Sequence, residues 1–314
     1  MKVYFAPLEG LTDSTYRRLH HKYFPGVDRY YTPFFSPTSG RKLTPRELRE
    51  LPPADALDAE VIPQLLTKNA GDFLWMCEKF RDLGYGEINL NTGCPSGTVT
   101  AKGKGAGMLK NLDSLTAFLD EIFEKATVEI SVKTRIGFEN VEEFPAILEI
   151  FNRYPIKELT VHPRVRNAFY KGDVDLDIFR YALENSRPPV CYNGNLNCLA
   201  DVEKVTSEFP NLQGVMVGRG LIGDPGMFTI GGTNITVLEA FFQELLEEYL
   251  ICFGGSRNAM FRLKEHWRYL ICKFENSDKL TKQLRKTTDL SEYKAITYEI
   301  FHNLPMKETL TANW

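Results

Sequence analysis

Short runs of continuous or alternating apolar residues recur through the first two thirds of the chain, each followed by a polar or amphipathic stretch of helical length. They are "VYFAP" at 3, "YYTPFF" at 30, "EVIPQLL" at 60, "EINLN" at 87, "EISVKTRIG" at 129, "ELTVHPR" at 158, "PVCYNG" at 189 and "GVMVGRG" at 214. Runs this short, rich in β-branched and aromatic residues, read as strands. The segments between them carry helix boundary signals: "TDSTYRRLHHKYF" opens on Thr12 or Asp13, "NAGDFLWMCEKFRDLG" closes on Gly84, and "NLDSLTAFLDEIFEK" opens on Asn111. Strand then helix, eight times over, predicts an α/β fold of the (β/α)8 TIM-barrel type. An open doubly wound sheet has the same rhythm, because periodicity does not report closure. The barrel is favoured by where the unusual residues fall. Pro7, Gln64, Asn91, Cys94, Lys133, His162, Asn193 and Arg219 all stand at or just past the C-terminal ends of predicted strands, the rim where barrel active sites are built.

After Gly232 the rhythm stops and only helical patterns follow: "VLEAFFQELLEEYLICF", "NAMFRLKEHWRYLICKF", "SDKLTKQLRKT" and "LSEYKAITYEIF". The pattern predicts a barrel domain over residues 1–235 and a small all-α helical bundle over residues 236–314. In the second helix Met260, Leu263, Trp267, Leu270, Ile271 and Phe274 follow helical spacing and are expected in the core. Arg257, Lys264 and Arg268, at i, i+7 and i+11, share a different face. That stripe is either an ordinary solvated surface or a contact for a polyanion.

The 314 residues suffice for one large domain and a smaller one, and 43% hydrophobic with 25% charged residues is the composition of a globular protein. The N-terminal "MKVYFAPLEG" lacks the apolar run of a signal peptide and no segment approaches a membrane span, so a cytoplasmic protein without membrane contact is expected. Six cysteines, at 77, 94, 191, 198, 252 and 272, form no C-x-x-C pair and no Cys/His cluster, so no metal site is expected. In a reducing compartment they are expected as free thiols. The 38 Lys and Arg against 41 Asp and Glu argue against a surface basic throughout, but their distribution is uneven. Residues 237–250 carry four acids and no base, whereas residues 253–286 carry nine Lys or Arg against three acids. A local basic surface binds nucleic acid whatever the total charge is.

Candidate chemistry clusters at the predicted rim. Lys133, in "SVKTRIG", points into the barrel mouth if its strand ends near Arg135, and a lysine there is costly unless it meets an anion or an electron-rich ring. Gly218 and Arg219, in "GVMVGRG", together with Asn193, Gly194 and Asn195, in "YNGN", resemble a phosphate site on the late loops of a barrel. His162 and Gln64 fit either a polar core role or a contact to a heteroaromatic edge. Cys94, in "NLNTGCPSGTVTAKGKGAGMLK", reads locally as a metal ligand, a reactive thiol or a small packing residue. The "GKGAG" that follows it has neither the order of a P-loop nor the third glycine of a dinucleotide fingerprint. Its glycines suggest a mobile flap. Lys102, Lys104 and Lys110 have no acid among them, and "HPRVRNAFYK" adds Arg164, Arg166 and Lys171, which points to a polyanionic substrate.

Taken together, "APLEGLTDSTYR", "NLNTGCPSGTVTAKGKGAGMLK", "VKTRIG", "LTVHPRVRNAFYKG", "YNGN" and "GVMVGRGLIGDP" resemble, in order, the motifs of tRNA-dihydrouridine synthases. The resemblance spans the barrel, and its most specific element is N-x-G-C-P with the Gly/Lys loop. "APLEG" and "GCPSGTV" lean toward the bacterial subfamily typified by tRNA-dihydrouridine synthase C, while Leu8 stands where methionine is frequent and Pro33 where many members carry glutamate.

The resemblance implies an FMN-binding barrel and a helical tRNA-binding domain that together reduce the C5–C6 double bond of uridine. NADPH or NADH would serve as transient reductant and Cys94 as proton donor to C5. By the same resemblance Pro7, Leu8, Glu9, Gln64 and Lys133 would line the flavin ring. His162, Asn193, Gly194, Asn195, Gly218 and Arg219 would hold its ribityl phosphate. Asn91 would orient the uracil, and Lys102, Lys104, Arg135, Arg164, Arg166, Arg257, Lys264 and Arg268 would meet the RNA. The target uridine would have to be extruded from its stack, and the chain is expected to act as a monomer. Three alternatives stay open on the sequence: the same reaction on ribosomal RNA, an RNA-binding protein that keeps flavin without turnover, and a flavin barrel acting on a free pyrimidine.

Overall fold

Eight sequence-predicted strands become nine segments, because proline splits the third. In the computed structural model, which describes residues 1–37, 40–52, 54 and 59–312, the strands are β1 (Lys2–Phe5), β2 (Arg29–Tyr31), β3 (Glu60–Ile62), β4 (Gln64–Leu65), β5 (Glu87–Thr92), β6 (Glu129–Arg135), β7 (Leu159–His162), β8 (Val190–Tyr192) and β9 (Gly214–Val217). All register pairs are parallel, and the order is β3-β2-β1-β9-β8-β7-β6-β5-β4. The two ends of this list are consecutive in the chain. Pro63 has no N–H for the ladder, yet its carbonyl accepts from Asn89 N at 2.9 Å, so the strand that closes the barrel pairs β2 with its first half and β5 with its second.

The helices are α1 (Ser14–Tyr23), α2 (Pro45–Glu50), α3 (Ala70–Asp82), α4 (Gly97–Thr100), α5 (Leu112–Lys125), α6 (Phe144–Phe151), α7 (Leu176–Asn185), α8 (Leu199–Glu208), α9 (Arg219–Gly223), α10 (Ile235–Phe253), α11 (Ser256–Leu270), α12 (Asp278–Lys286) and α13 (Leu290–Asn303). Their starts follow the cap residues in the sequence. Asp13, Asn69 and Asn111 each accept a backbone N–H of the first turn of α1, α3 and α5. Gly84, just past α3, takes a left-handed φ of 91° that suits glycine. No helix among the described residues is long and apolar enough to cross a membrane.

The chain divides into two compact units. The barrel unit comprises Met1–Pro7, Asp28–Asn195 and Thr206–Met216. Tyr4, Ala6, Tyr31, Ile62, Cys191 and Met216 pack together in it as a buried cluster. The N-terminal ends of its strands hold a set of charges around the buried Arg29, Glu87 and Glu158. Arg29 bonds Glu60 at 2.5 Å and lies 3.8 Å from Glu87, Lys157 reaches Glu87 at 2.8 Å and Glu129 at 2.5 Å, and the Tyr4 hydroxyl donates to Glu158 at 2.6 Å.

The helical unit comprises Leu8–Val27, Leu196–Val205 and Val217–Trp314. It therefore gathers α1, which follows the first strand, with the four long helices at the C-terminal end. The contact of α1 with α10 is both apolar and polar: the Phe24 and Phe241 rings stand 5.2 Å apart, and Lys22 and Tyr23 both bond Glu244. All six residues expected in the core of α11 and the turn after it are buried, with Trp267 donating its indole N–H to the Tyr293 hydroxyl at 2.9 Å.

Candidate active site

Strand alternation decides which side chains of β5 and β6 meet. Ile88 and Leu90 point one way, and Asn89 and Asn91 the other. In register with the asparagines stand Ser131 and Lys133 of β6, and the next inward pair is Arg135 with His162 of β7. The polar side chains form a continuous chain of hydrogen bonds. Asn91 donates its amide to Gln64 Oε1 at 2.8 Å, Gln64 donates to Asn89 Oδ1 at 2.8 Å, and Asn89 donates to Ser131 Oγ at 3.0 Å. Each amide in the series is buried and has both ends engaged, so their orientations are fixed by one another.

The other end of Asn91 holds the cysteine turn. Its Oδ1 accepts from Gly93 N at 3.0 Å and Cys94 N at 2.9 Å, which fixes the backbone where the chain leaves β5. Cys94 is half-buried, and its carbonyl accepts from Ala106 N at 3.1 Å. Gly105 lies directly against this turn with φ of 56°, and a Cβ there would come within 2.9 Å of Cys94 Cβ. Residues 105–109 are buried. The glycine-rich stretch is thus packed body that backs the cysteine, in place of the loose flap that its composition suggests, because its glycines permit close approach as well as mobility.

Lys133 stands half-buried beside Asn91. Burial, and then the Arg135 guanidinium, lower its pKa to about 8, while Cys191 and Cys94 act weakly the other way. No carboxylate pairs with it among the described residues. Arg135 is itself pushed down to about 10, first by burial. Its guanidinium donates to the carbonyls of Gly93 at 3.0 Å, Val165 at 2.9 Å and Phe169 at 2.6 Å. Arg164 bonds the carbonyl of Gly172, Asn195 Oδ1 at 2.9 Å and the His162 ring at 3.0 Å. The two arginines are 1% and 3% exposed. Both were expected on sequence grounds to meet RNA; the fold instead turns them inward as braces, Arg135 on three loop carbonyls and Arg164 on the Gly172 carbonyl, Asn195 and His162.

The remaining candidates divide by unit. In the barrel unit Asn193 donates to the Met216 carbonyl at 2.7 Å, and Asn195 adopts a left-handed φ of 46°. A Cβ on Gly194 would come within 2.8 Å of Val174. Pro7 follows β1. Lys102 is exposed, Lys104 donates to Ser36 Oγ at 2.9 Å, and Arg166 lies between the rings of Phe138 and Phe169 at 5.2 and 4.9 Å. In the helical unit Gly218 and Arg219 open α9, and Leu8 and Glu9 precede the turn to α1. Arg257 and Arg268 are exposed on α11, while Lys264 is half-buried and donates to the Thr287 carbonyl. Asp224, which ends α9, is bound by Lys273 at 2.6 Å in a buried ion pair that the sequence reading missed. Also missed were Asn89 and Ser131, although the alternation in "EINLN" and "EISVK" was signal enough to place them beside Asn91 and Lys133.

Parallel strands closed into a barrel, with amides, a thiol and cations gathered at the strand ends, define the class of (β/α)8 barrels. Among solved structures the chain is similar in fold to morphinone reductase in complex with tetrahydroNAD, with a TM-score of 0.52 and 9% identity, covering 74% of this chain and 87% of that one. A family model for dihydrouridine synthase matches residues 4–305. A probable tRNA-dihydrouridine synthase of Helicobacter pylori is 30% identical over 278 residues, covering 84% of this chain and 81% of the relative. tRNA-dihydrouridine synthase B of Pasteurella multocida is 24% identical over 231 residues, covering 73% and 68%. The chain belongs to the dihydrouridine synthase family.

Proposed function

We propose that this protein reduces the C5–C6 double bond of particular uridines in tRNA to 5,6-dihydrouridine, with FMN bound in the barrel mouth and NAD(P)H as reductant. The observation that carries the reading is the Cys94 turn held by Asn91 next to Lys133. The donor set suits FMN. Lys133 has no carboxylate partner among the described residues and is an ammonium that an electron-rich group would satisfy, and His162, Asn193, Asn195 and Arg219 place polar side chains at strand ends or just past them. Bound there, FMN would supply hydride chemistry to the uracil ring.

The chain's own residues do the rest. Cys94 donates a proton from Sγ to C5, acting as the general acid. Lys133 stands in register with Asn91 and the Arg135 guanidinium bonds the Gly93 carbonyl, so two cations flank the turn that carries Cys94. Asn91 acts through the backbone: its carbonyl oxygen fixes Gly93 and Cys94, and its amide ties that turn to Gln64. Pro7, Leu8, Glu9 and Gln64 would line the ring, and His162, Asn193, Gly194, Asn195, Gly218 and Arg219 would take the ribityl phosphate. Residues 1–235 form the catalytic domain and residues 236–314 the tRNA-binding domain. Lys102, Lys104, Arg166, Arg257, Lys264 and Arg268 serve the RNA backbone, and the chain works as a cytoplasmic monomer.

The test is a map of dihydrouridine in RNA from cells with and without this protein. Loss of dihydrouridine from tRNA is expected; loss confined to ribosomal RNA, or no change, refutes the substrate.

A further inference from the structure

One face of α11 is unlike a solvated surface. Asn258, Phe261, Glu265 and Tyr269 stand at i, i+3, i+7 and i+11, so they form a single stripe. Phe261 is 69% exposed in the middle of it. With Phe253 and Glu9 these side chains line a cleft of about 460 Å³, within the range of about 300–1,000 Å³ typical of small-molecule sites. Beside the stripe run the exposed cations Arg257 and Arg268, the latter with its guanidinium 6.0 Å from the Tyr269 ring.

The cleft is ill suited to phosphate. Its lining cation, Arg262, is already engaged: the guanidinium donates to the Gly10 carbonyl, lies 3.9 Å from Asp13 and stands over the Phe253 ring at 5.7 Å. The other charged groups in the lining are the carboxylates of Glu9 and Glu265, which repel phosphate. Aromatic faces with carboxylate acceptors and an amide suit a flat heterocycle that carries N–H donors. The cleft is also rigid on its inner side. His266, on the same helix, binds the Leu11 carbonyl through Nε2 at 2.8 Å and stacks on Tyr16 at 4.7 Å, which fixes the loop that forms the wall.

We propose that this cleft is a second base-binding site, which takes one unstacked, amino-bearing base of the RNA substrate, with guanine favoured. Phe261 supplies the stacking platform, and Glu265 accepts from adjacent ring and amino N–H groups as a carboxylate does from guanine. Asn258 meets a remaining polar edge. The cleft belongs to the helical unit, whose C-terminal helices the family reading assigns to tRNA, so the base bound here belongs to the same RNA as the target uridine and helps select which uridine is presented. The proposal rests on the reading of tRNA as substrate.

The experiment measures tRNA binding and turnover with the FMN-loaded protein and a tRNA transcript. Phe261→Ala is expected to raise KM for tRNA by about tenfold, in line with the loss of one base stack, with kcat within about twofold and flavin reduction by NADPH unchanged. Phe261→Trp restores the wild-type KM, and Glu265→Gln raises it while leaving the salt dependence of binding intact. Arg268→Ala, in contrast, lowers the salt slope because a phosphate contact is lost. Wild-type KM in Phe261→Ala, or a salt slope reduced by that substitution, overturns the base site while wild-type dihydrouridine formation keeps the family reading standing. Absence of dihydrouridine formation by the wild-type protein overturns both.

Discussion

The two ends of the same barrel hold their charges in opposite ways. At the N-terminal ends of the strands each cation has carboxylates: Arg29 has Glu60 and Glu87, and Lys157 has Glu87 and Glu129. Burial opposes both cations, yet the surrounding acids more than offset it and leave their pKa values above the ordinary ones. At the C-terminal ends Lys133 and Arg135 have no carboxylate among the described residues, and burial dominates, to about 8 and about 10. A paired set satisfies itself and serves stability. An unpaired set leaves the protein short of negative or electron-rich groups and is where a ligand gains most.

The comparison is sharpest in activity. Cys94→Ala should reduce dihydrouridine formation by at least about 100-fold, the usual scale for removal of a general acid, while stopped-flow reduction of bound flavin by NADPH stays near wild type. Equal loss of both rates would assign Cys94 to cofactor binding. At the opposite end Glu87→Ala should leave flavin affinity unchanged but destabilise the fold by about 3 kcal/mol, since it strips a buried partner from Arg29 and Lys157. Urea unfolding measures it, and a change below about 1 kcal/mol would make the floor cluster ornamental.

Lys133→Met separates the two ends most directly. Flavin affinity should fall by about tenfold as a charge-assisted contact is lost, whereas the flavin-free protein should gain stability because an unpaired buried cation is gone. The pH dependence has a defined sign. Lys133 titrates near 8 in the folded chain and near 10.4 when unfolded. Between those values the unfolded state binds more protons, so this group makes stability rise with pH from about 8 to about 10.4, and its penalty is fully present below that window. Thermal melts of flavin-free wild type and Lys133→Met at the two limits should converge as pH rises; a constant gap would show that Lys133 is not desolvated. The smallest effect belongs to Tyr4→Phe, which removes the hydroxyl bound to the buried Glu158 carboxyl. It should cost about 1–3 kcal/mol with no effect on turnover.

The same contrast separates local from distant information. The sequence by itself determined the strand and helix rhythm, the caps at Asp13, Asn69 and Asn111, and the alternation that turns Asn91, Lys133 and Arg135 to one face. It also carried the ordered motifs that mark the family. These depend on neighbours a few residues apart, which periodicity and composition report. Tertiary structure alone decided that Pro63 sits where the barrel closes, that residues 105–109 back the Cys94 turn, and that Arg135 and Arg164 brace loops. It also decided that α1 packs with the C-terminal helices. Which cations are paired was likewise illegible, because Lys157 meets Glu87 across 70 residues of sequence. A charge in the sequence records only a demand for a partner, and the closing of the barrel settles whether the protein meets that demand or leaves it to a ligand.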